Sequence, residues 1–250
     1  MKTKSLLKAL SALVLAYGLT ACSATPEIEP HAQEPSWPTS EEEMAHTMTN
    51  QISDPWQGFN RRMYYFNHTV DENILLPLVS GYKAITPDPV EQGVSNFFSN
   101  LGEIPIFLNA ALQLKPKPAF ETLGRFAVNT TIGLAGLFDP ATHMGLDKQN
   151  EDFGQTLGHY GVSPGPYLVL PFLGPSNLRD AFGGIVDMAA YNAAVNELGL
   201  KDSEELFMNF VKALDTRKNI NFRYYASGSA FEYDTIKLLY TKYREIQIER

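Results

Sequence analysis

Two tetrads of one design, Asp54-Pro55-Trp56-Gln57 and Asp88-Pro89-Val90-Glu91, constrain the fold more than any other feature of the chain. Each sets an acidic acceptor at the N-cap of a helix, proline at the first helical position, where no N–H is needed, and Gln or Glu two residues later, able to reach back. After the first tetrad, Phe59, Met63, Phe66, Val70 and Ile74 recur at helical spacing as one apolar stripe, and this helix is expected to end near Leu76-Pro77. After the second, Val94, Phe97, Phe98 and Leu101 make an apolar face, and Pro105 predicts a break or kink before a further helix through Leu112.

Residues 118–131 read as another helix, with Leu123, Phe126, Ala127 and Thr130 on one side, and 134–140 as an apolar, turn-rich loop. Asn177-Leu178-Arg179-Asp180 opens a helix through Asp187 to Val195. Asp202-Ser203-Glu204-Glu205 opens one carrying Leu206, Phe210, Val211 and Leu214, and residues 229–248 form the last, with Ile236, Leu239, Tyr240 and Tyr243 together. No strand–helix–strand alternation is present, so the expected class is mainly α, with residues 54–250 as one domain.

Between these helices, Gly161-Val162-Ser163-Pro164-Gly165 matches the G-x-S-x-G pattern of serine hydrolases. A nucleophile elbow needs a strand before the serine, a helix after it and the N–H of the next residue for its oxyanion hole. Pro164 has no N–H. Residues 153–160 and 166–171 both read as strands, which makes Ser163-Pro164-Gly165 the turn of a short β-hairpin spanning 153–170. A lipase using Ser163 would also lack an assignable base.

The ends add a different constraint. Lys2, Lys4 and Lys8 precede an apolar run over residues 9–19 and then Leu19-Thr20-Ala21-Cys22, which reads as a secretory signal over residues 1–21. The last four residues resemble a bacterial lipobox, after which Cys22 is lipidated, and Ser23 in the next position suggests the outer membrane of a Gram-negative cell. Cys22 is the only cysteine, so no internal disulfide can form. Residues 22–53, with Pro26, Pro30, Pro35, Pro38 and an acidic cluster at 41–43, are expected to be a flexible tether. From Cys22 onward the chain carries 17 basic against 28 acidic residues, a net −11, a balance that disfavours nucleic acid. No second stretch is long and apolar enough for a membrane-spanning helix, and no series of alternating strands suits a barrel.

Five histidines stand far apart, without H-E-x-x-H or a phosphate-cradling G-x-x-x-x-G-K, so neither a metal site nor a cofactor is expected. Arg179, Asp180 and Asp187 are more informative, since positions 180 and 187 fall two helical turns apart on one face. They fit either the wall of a polar channel or a solvated face with a local ion pair. The 15 Phe and 12 Tyr suit a packed core or amphipathic helices in a membrane interface equally well.

Residues 54–61, 94–101, Asn129-Thr130-Thr131-Ile132-Gly133, 151–158, 165–171 and Gly174-Pro175-Ser176-Asn177-Leu178-Arg179-Asp180 together resemble the MlaA lipoproteins, also called VacJ, in the same order. The match is densest over residues 54–190, and the C-terminal third matches in being helical. The resemblance implies a ring of amphipathic helices in the inner leaflet of the outer membrane, around a channel. It implies a protein that takes phospholipids from the outer leaflet and passes them to a periplasmic lipid carrier, in association with a trimeric outer-membrane porin. Arg179, Asp180 and Asp187 then line the channel, with Gly154, Gly158, Gly161 and Gly165 of the hairpin flanking it and permitting movement. Two other readings stay open: a structural lipoprotein that packs on porins, and the lipase built on Ser163.

Overall fold

The computed structural model describes residues 52–250. The leader, Cys22 and the tether up to residue 51 lie outside the described residues. The fold is mainly α with one antiparallel hairpin. In chain order it comprises α1 (Gln57–Val70), a π-helical turn (Asp71–Leu75), α2 (Leu76–Ile85), α3 (Asp88–Leu112), α4 (Pro116–Thr131) and the short α5 (Pro140–His143). Then come α6 (Phe153–His159), β1 (Tyr167–Leu170), β2 (Gly174–Asn177), α7 (Leu178–Asn196), α8 (Asp202–Lys218) and α9 (Glu232–Glu249). Long α3 packs on α4 and α7, and α6 is held between α7 and α9.

The helix-start signals work differently from their pattern. α1 begins at Gln57 with no side-chain cap, and the Asp54 carboxylate instead accepts from Asn60 Nδ2 (2.7 Å), the Tyr233 hydroxyl (2.7 Å) and Lys237 Nζ (3.3 Å). Three tertiary donors, one of them charged, outweigh one amide at a helix end, so Asp54 ties the first helix to the last. Asp88 makes no cap either. Asp152 and Asn177 do, accepting from the backbone N–H of Gln155 and Asp180.

The helix end expected at Pro77 and the break expected at Pro105 are not found. The helical path continues past Pro77, which falls in the first turn of α2. The turn before it is widened, with Leu76 N–H reaching Asp71 O, and accommodates a residue without an N–H. Pro105 lies inside α3, a 25-residue helix that reaches Leu112 without a break and packs on α4 and α7.

The hairpin is present but shifted along the chain. β1 pairs with β2 from Tyr167–Asn177 to Leu170–Gly174, around Pro171-Phe172-Leu173. Residues 153–159 form α6, not a strand, because Asp152 caps them into a helix. GVSPG is therefore the exposed loop from α6 to β1, with Gly161 (φ +83°) and Gly165 (φ +69°) in the left-handed conformation at its ends.

Beside two small buried apolar clusters, the faces of α1 and α4 are reversed relative to an ordinary core. In the predicted α1 stripe, Phe59, Phe66 and Ile74 are exposed, and the positions buried instead are Asn60, Tyr64, Asn67 and then Asp71. α4 repeats this: Leu123 is exposed, while Thr122, Arg125 and Asn129 are buried. Polar side chains buried this way must bond to one another. Asn60 takes the Val169 N–H and donates to Tyr167 O, and Asn67 takes the Phe172 N–H and donates to Leu170 O. A side-chain amide carries the same donor and acceptor as a peptide; two of them, seven residues apart on α1, pair the edge of β1 much as a neighbouring strand would. Arg125, 2 % exposed, donates to Glu103 (2.8 Å), Asp139 (2.9 Å), Thr142 (2.9 Å) and Leu146 O (2.8 Å). Burial pushes the Asp139 carboxyl up, but the donors Thr142, Arg125 and Asn129 prevail and hold it at about 2. Arg125→Met should cost about 3–5 kcal/mol, the loss that follows from stranding buried carboxylates. Phe120→Ser, at an outward position 74 % exposed, should change stability by less than about 0.5 kcal/mol. Thermal unfolding of the detergent-solubilised chain checks both, and similar losses at the two positions would contradict a fold held by its polar interior.

Candidate functional site

The N-terminus of α7 projects Arg179 and Asp180 into a cluster that three other segments complete. Arg179 Nε meets Asp180 Oδ1 at 3.0 Å, and Arg244 Nε from α9 meets Asp180 Oδ2 at 2.8 Å. Arg244 also grips Asp152 with both terminal nitrogens (2.5 and 2.8 Å). The Tyr240 hydroxyl and the Asn177 side chain, each at 2.7 Å, complete the shell of Asp180. Arg179, Asp180 and Arg244 side chains are all less than a tenth exposed, so this is a buried ion network and not a solvated helix face. Asp187, two turns on, joins different partners: it accepts from Asn109 Nδ2 of α3 (2.7 Å) and from the Phe153 N–H at the start of α6 (2.9 Å).

The two carboxylates thus sit in opposite electrostatic surroundings. Burial pushes Asp180 up, but the hydrogen bond and charge of Arg244, with Tyr240 and Arg179, outweigh it and hold the carboxyl below its ordinary value. Burial also pushes Asp187 up, and there the Phe153 and Asn109 donors do not cancel it, so Asp187 lies above the usual carboxylate range. Arg179 and Gly165 line a cavity of about 470 Å3 together with Lys242 and Arg244, whereas Asp180 and Asp187 do not line it.

The predicted hairpin glycines divide into two kinds. Gly154 and Gly158 lie in α6, where space decides: a Cβ at Gly154 would come within 2.5 Å of Asp180 Oδ1, and one at Gly158 within 2.6 Å of Ile248 Cδ1. Gly183 of α7 completes the approach, since a Cβ there would lie 2.4 Å from Gly154 N. These are close-packing positions that seat α6 on α7 and α9, not hinges; only Gly161 and Gly165 have the left-handed backbone of the loop. Asp152, Tyr240 and Arg244 were not singled out from sequence. Asp152 was legible as an acidic residue before an apolar pair, but reading 153–160 as a strand hid its capping role. Arg244 had only its helix to mark it. Among the described residues no group of three or more His, Cys, Asp or Glu side chains is placed to hold a metal ion, and no helix is long and apolar enough to cross a membrane.

Apolar residues exposed on the outside and charges bonded inside are the pattern of a helical protein suited to a lipid surface. Comparison then gives the family. The profile described as MlaA lipoprotein matches residues 52–247, and the chain belongs to that family, C-terminal helices included. An uncharacterized protein of Rickettsia typhi is 43 % identical over 148 residues, which is 59 % of this chain and 57 % of the relative, so the chain matches little more than half of that relative's length. The "Intermembrane phospholipid transport system lipoprotein MlaA" of Haemophilus influenzae is 33 % identical over 193 residues, 76 % of this chain and 68 % of the relative. A solved structure from work on the "structural basis for maintenance of bacterial outer membrane lipid asymmetry" superposes with a TM-score of 0.63 at 32 % identity, covering 78 % of this chain and 99 % of the other.

The opposed surroundings of the two carboxylates predict different mutational costs. Asp180→Asn should lose about 3 kcal/mol at pH 7, the loss expected on breaking a buried pair. Because the folded value is depressed, this difference from wild type is full above the unfolded carboxylate value of about 3.9 and closes as pH falls below it. Asp187→Asn, at a carboxylate held by two hydrogen bonds and no ion pair, should cost less, about 1–2 kcal/mol, for the one donor left unmatched. Equilibrium unfolding of both variants between acid and neutral pH measures the contrast, and equal costs at pH 7 would overturn it. Gly183→Ala should cost about 1–3 kcal/mol by forcing α6 off α7, read as a lowered thermal midpoint in the same assay.

Proposed function

We propose that this chain is an outer-membrane lipoprotein that takes phospholipids out of the outer leaflet through a polar path and passes them to a periplasmic lipid carrier, maintaining lipid asymmetry, in association with a trimeric porin. One observation carries the reading: an interior rich in buried polar and charged side chains, many of them bonded to one another, inside helices that expose many large apolar residues. A charged headgroup cannot cross hydrocarbon without heavy cost, so its movement requires polar surface enclosed by apolar walls. The name of the Haemophilus influenzae relative and the subject of the superposed structure support the same reading. Lipidation at Cys22 and the tether over residues 22–53 would hold such a protein at the membrane.

On this reading Arg179 forms part of the wall of the path, and Asp180 and Asp187 set the polarity of the layer behind it. Asp180 lies between Arg179 and Arg244, so its charge is compensated on both sides. Such a wall presents polarity to a phosphate without gripping it, which favours transit over storage. The hydrolase reading has less support: Ser163 follows a helix and precedes a strand, the reverse of a nucleophile elbow, and Pro164 offers no amide for an oxyanion.

The test is the amount of phospholipid in the outer leaflet of cells lacking this protein, complemented by wild type, Ser163→Ala or Asp187→Asn at matched protein level. Wild type and Ser163→Ala are expected to restore asymmetry fully and Asp187→Asn only in part. Failure of Ser163→Ala alone would return the hydrolase, and a deletion strain with normal asymmetry would remove the transport reading altogether.

A further inference from the structure

Tyr240 stands between two environments. Its hydroxyl belongs to the charge cluster at Asp180, while its ring lines a second cavity of about 670 Å3. Val70 and Leu75 border this cavity at the π-helical turn, Phe172 and Leu173 at the tip of the hairpin, and Ile236 and Leu239 along α9. The volume is that of a small-molecule site, in the range of roughly 300–1,000 Å3. Most of the polar groups on its wall are already engaged. Asn67 is bonded to β1, Asp71 is held by the Arg217 guanidinium, and Arg217 also donates to the carbonyls of Ile220 and Phe222. The Tyr243 hydroxyl accepts from Gln247. Most of the hydrogen-bonding capacity on the wall is thus taken up by the protein itself, so a polar guest would recover few of the water bonds it loses.

Two departures from regular backbone meet at this wall. Asp71–Leu75 is π-helical, a rare geometry that gathers at functional sites. Phe172 has φ +66°, a left-handed conformation that strains an aromatic residue. Its ring packs edge-on against Phe66 at 5.4 Å. Phe172, Leu173 and Leu239 are 64 %, 69 % and 58 % exposed, so the apolar wall reaches the outer surface of the protein. A hydrocarbon chain can enter from the side through that opening while its headgroup stays at the polar edge.

We propose that this cavity holds one acyl chain of a glycerophospholipid. The hydrocarbon chemistry of the guest follows from the walls, and its assignment to a phospholipid rests on the transport reading above. During transit, one chain lodged here would keep the lipid beside the protein while the headgroup moves along the polar path.

The experiment uses the full lipoprotein in detergent micelles. One arm adds phosphatidylethanolamine with a diazirine midway along one acyl chain, and a second adds a free fatty acid carrying the same group. After illumination, labelled residues are mapped by mass spectrometry. Phospholipid label is expected at Val70, Leu75, Ile236 and Leu239. Leu239→Trp and Val70→Trp should each weaken that labelling about tenfold, the change expected when roughly two methylenes lose their burial. Leu206→Trp, on the outside of α8, should leave it unchanged. Matching thermal midpoints confirm that the variants are folded, and a second filling position covers a failure of the first. Label confined to outward faces, label indifferent to both tryptophans, or label from the fatty acid alone overturns the proposal. Asymmetry reports separately on transport. A deletion strain that accumulates outer-leaflet phospholipid, with cavity labelling absent, sinks this site and leaves transport standing; normal asymmetry with specific cavity labelling does the reverse.

Discussion

Everything in this structure depends on a constraint that polar groups inside a helical shell must satisfy one another. When apolar faces are spent on the outside, the interior cannot be held by hydrophobic burial alone, and hydrogen bonds must supply order as well as satisfaction. Asn60 and Asn67 show how this is met. Each side-chain amide engages two backbone groups beside β1, so the first helix is bound to the hairpin by peptide-like pairing. Glu103, Arg125 and Asp139 do the same for α3, α4 and the segment leading into α5 with charge.

The charge cluster at the start of α7 extends that logic. Arg244 reaches Asp152 and Asp180 only because α6 lies directly on α7, and α6 can lie there only because Gly154 and Gly183 have no side chains. Removing water from an ion pair is costly unless geometry is good, and here the bidentate grip on Asp152 and the four donors around Asp180 provide it. On the proposed transport reading, compensated charge of this kind would suit a passage better than a binding site, since it offers no isolated charge to trap a headgroup.

Much of the fold was legible. The helices carried by Asn177, Asp202 and the C-terminal stripe begin and end within a few residues of their expected bounds, because periodicity is a local property. The hairpin was legible as a type and misplaced by one segment. β2, Gly174-Pro175-Ser176-Asn177, has no strand-forming residues, and its pairing with β1 is imposed by the neighbours around it. Asp54 had every mark of an N-cap, yet Tyr233 and Lys237 claim its carboxylate from the far end of the sequence. Arg179 and Asp180 were legible as a pair, but Arg244, which completes them, could not be found by any local pattern.

By itself the sequence determined helix positions, the amphipathic period, the absence of internal disulfides and the membership that its ordered motifs announced. It could not determine which face of each helix points inward. The stripe of Phe59, Phe66 and Ile74 and the stripe of Asn60, Tyr64 and Asn67 have the same period, and periodicity carries no sign. Only tertiary structure chose between them, because the choice depends on whether the polar stripe finds partners on other elements. Asn60 finds β1, Asp71 finds Arg217 and Arg125 finds Glu103, each across a gap in sequence that local signals do not span. With those partners in place the polar faces are stable inside, and the apolar ones are free to meet lipid.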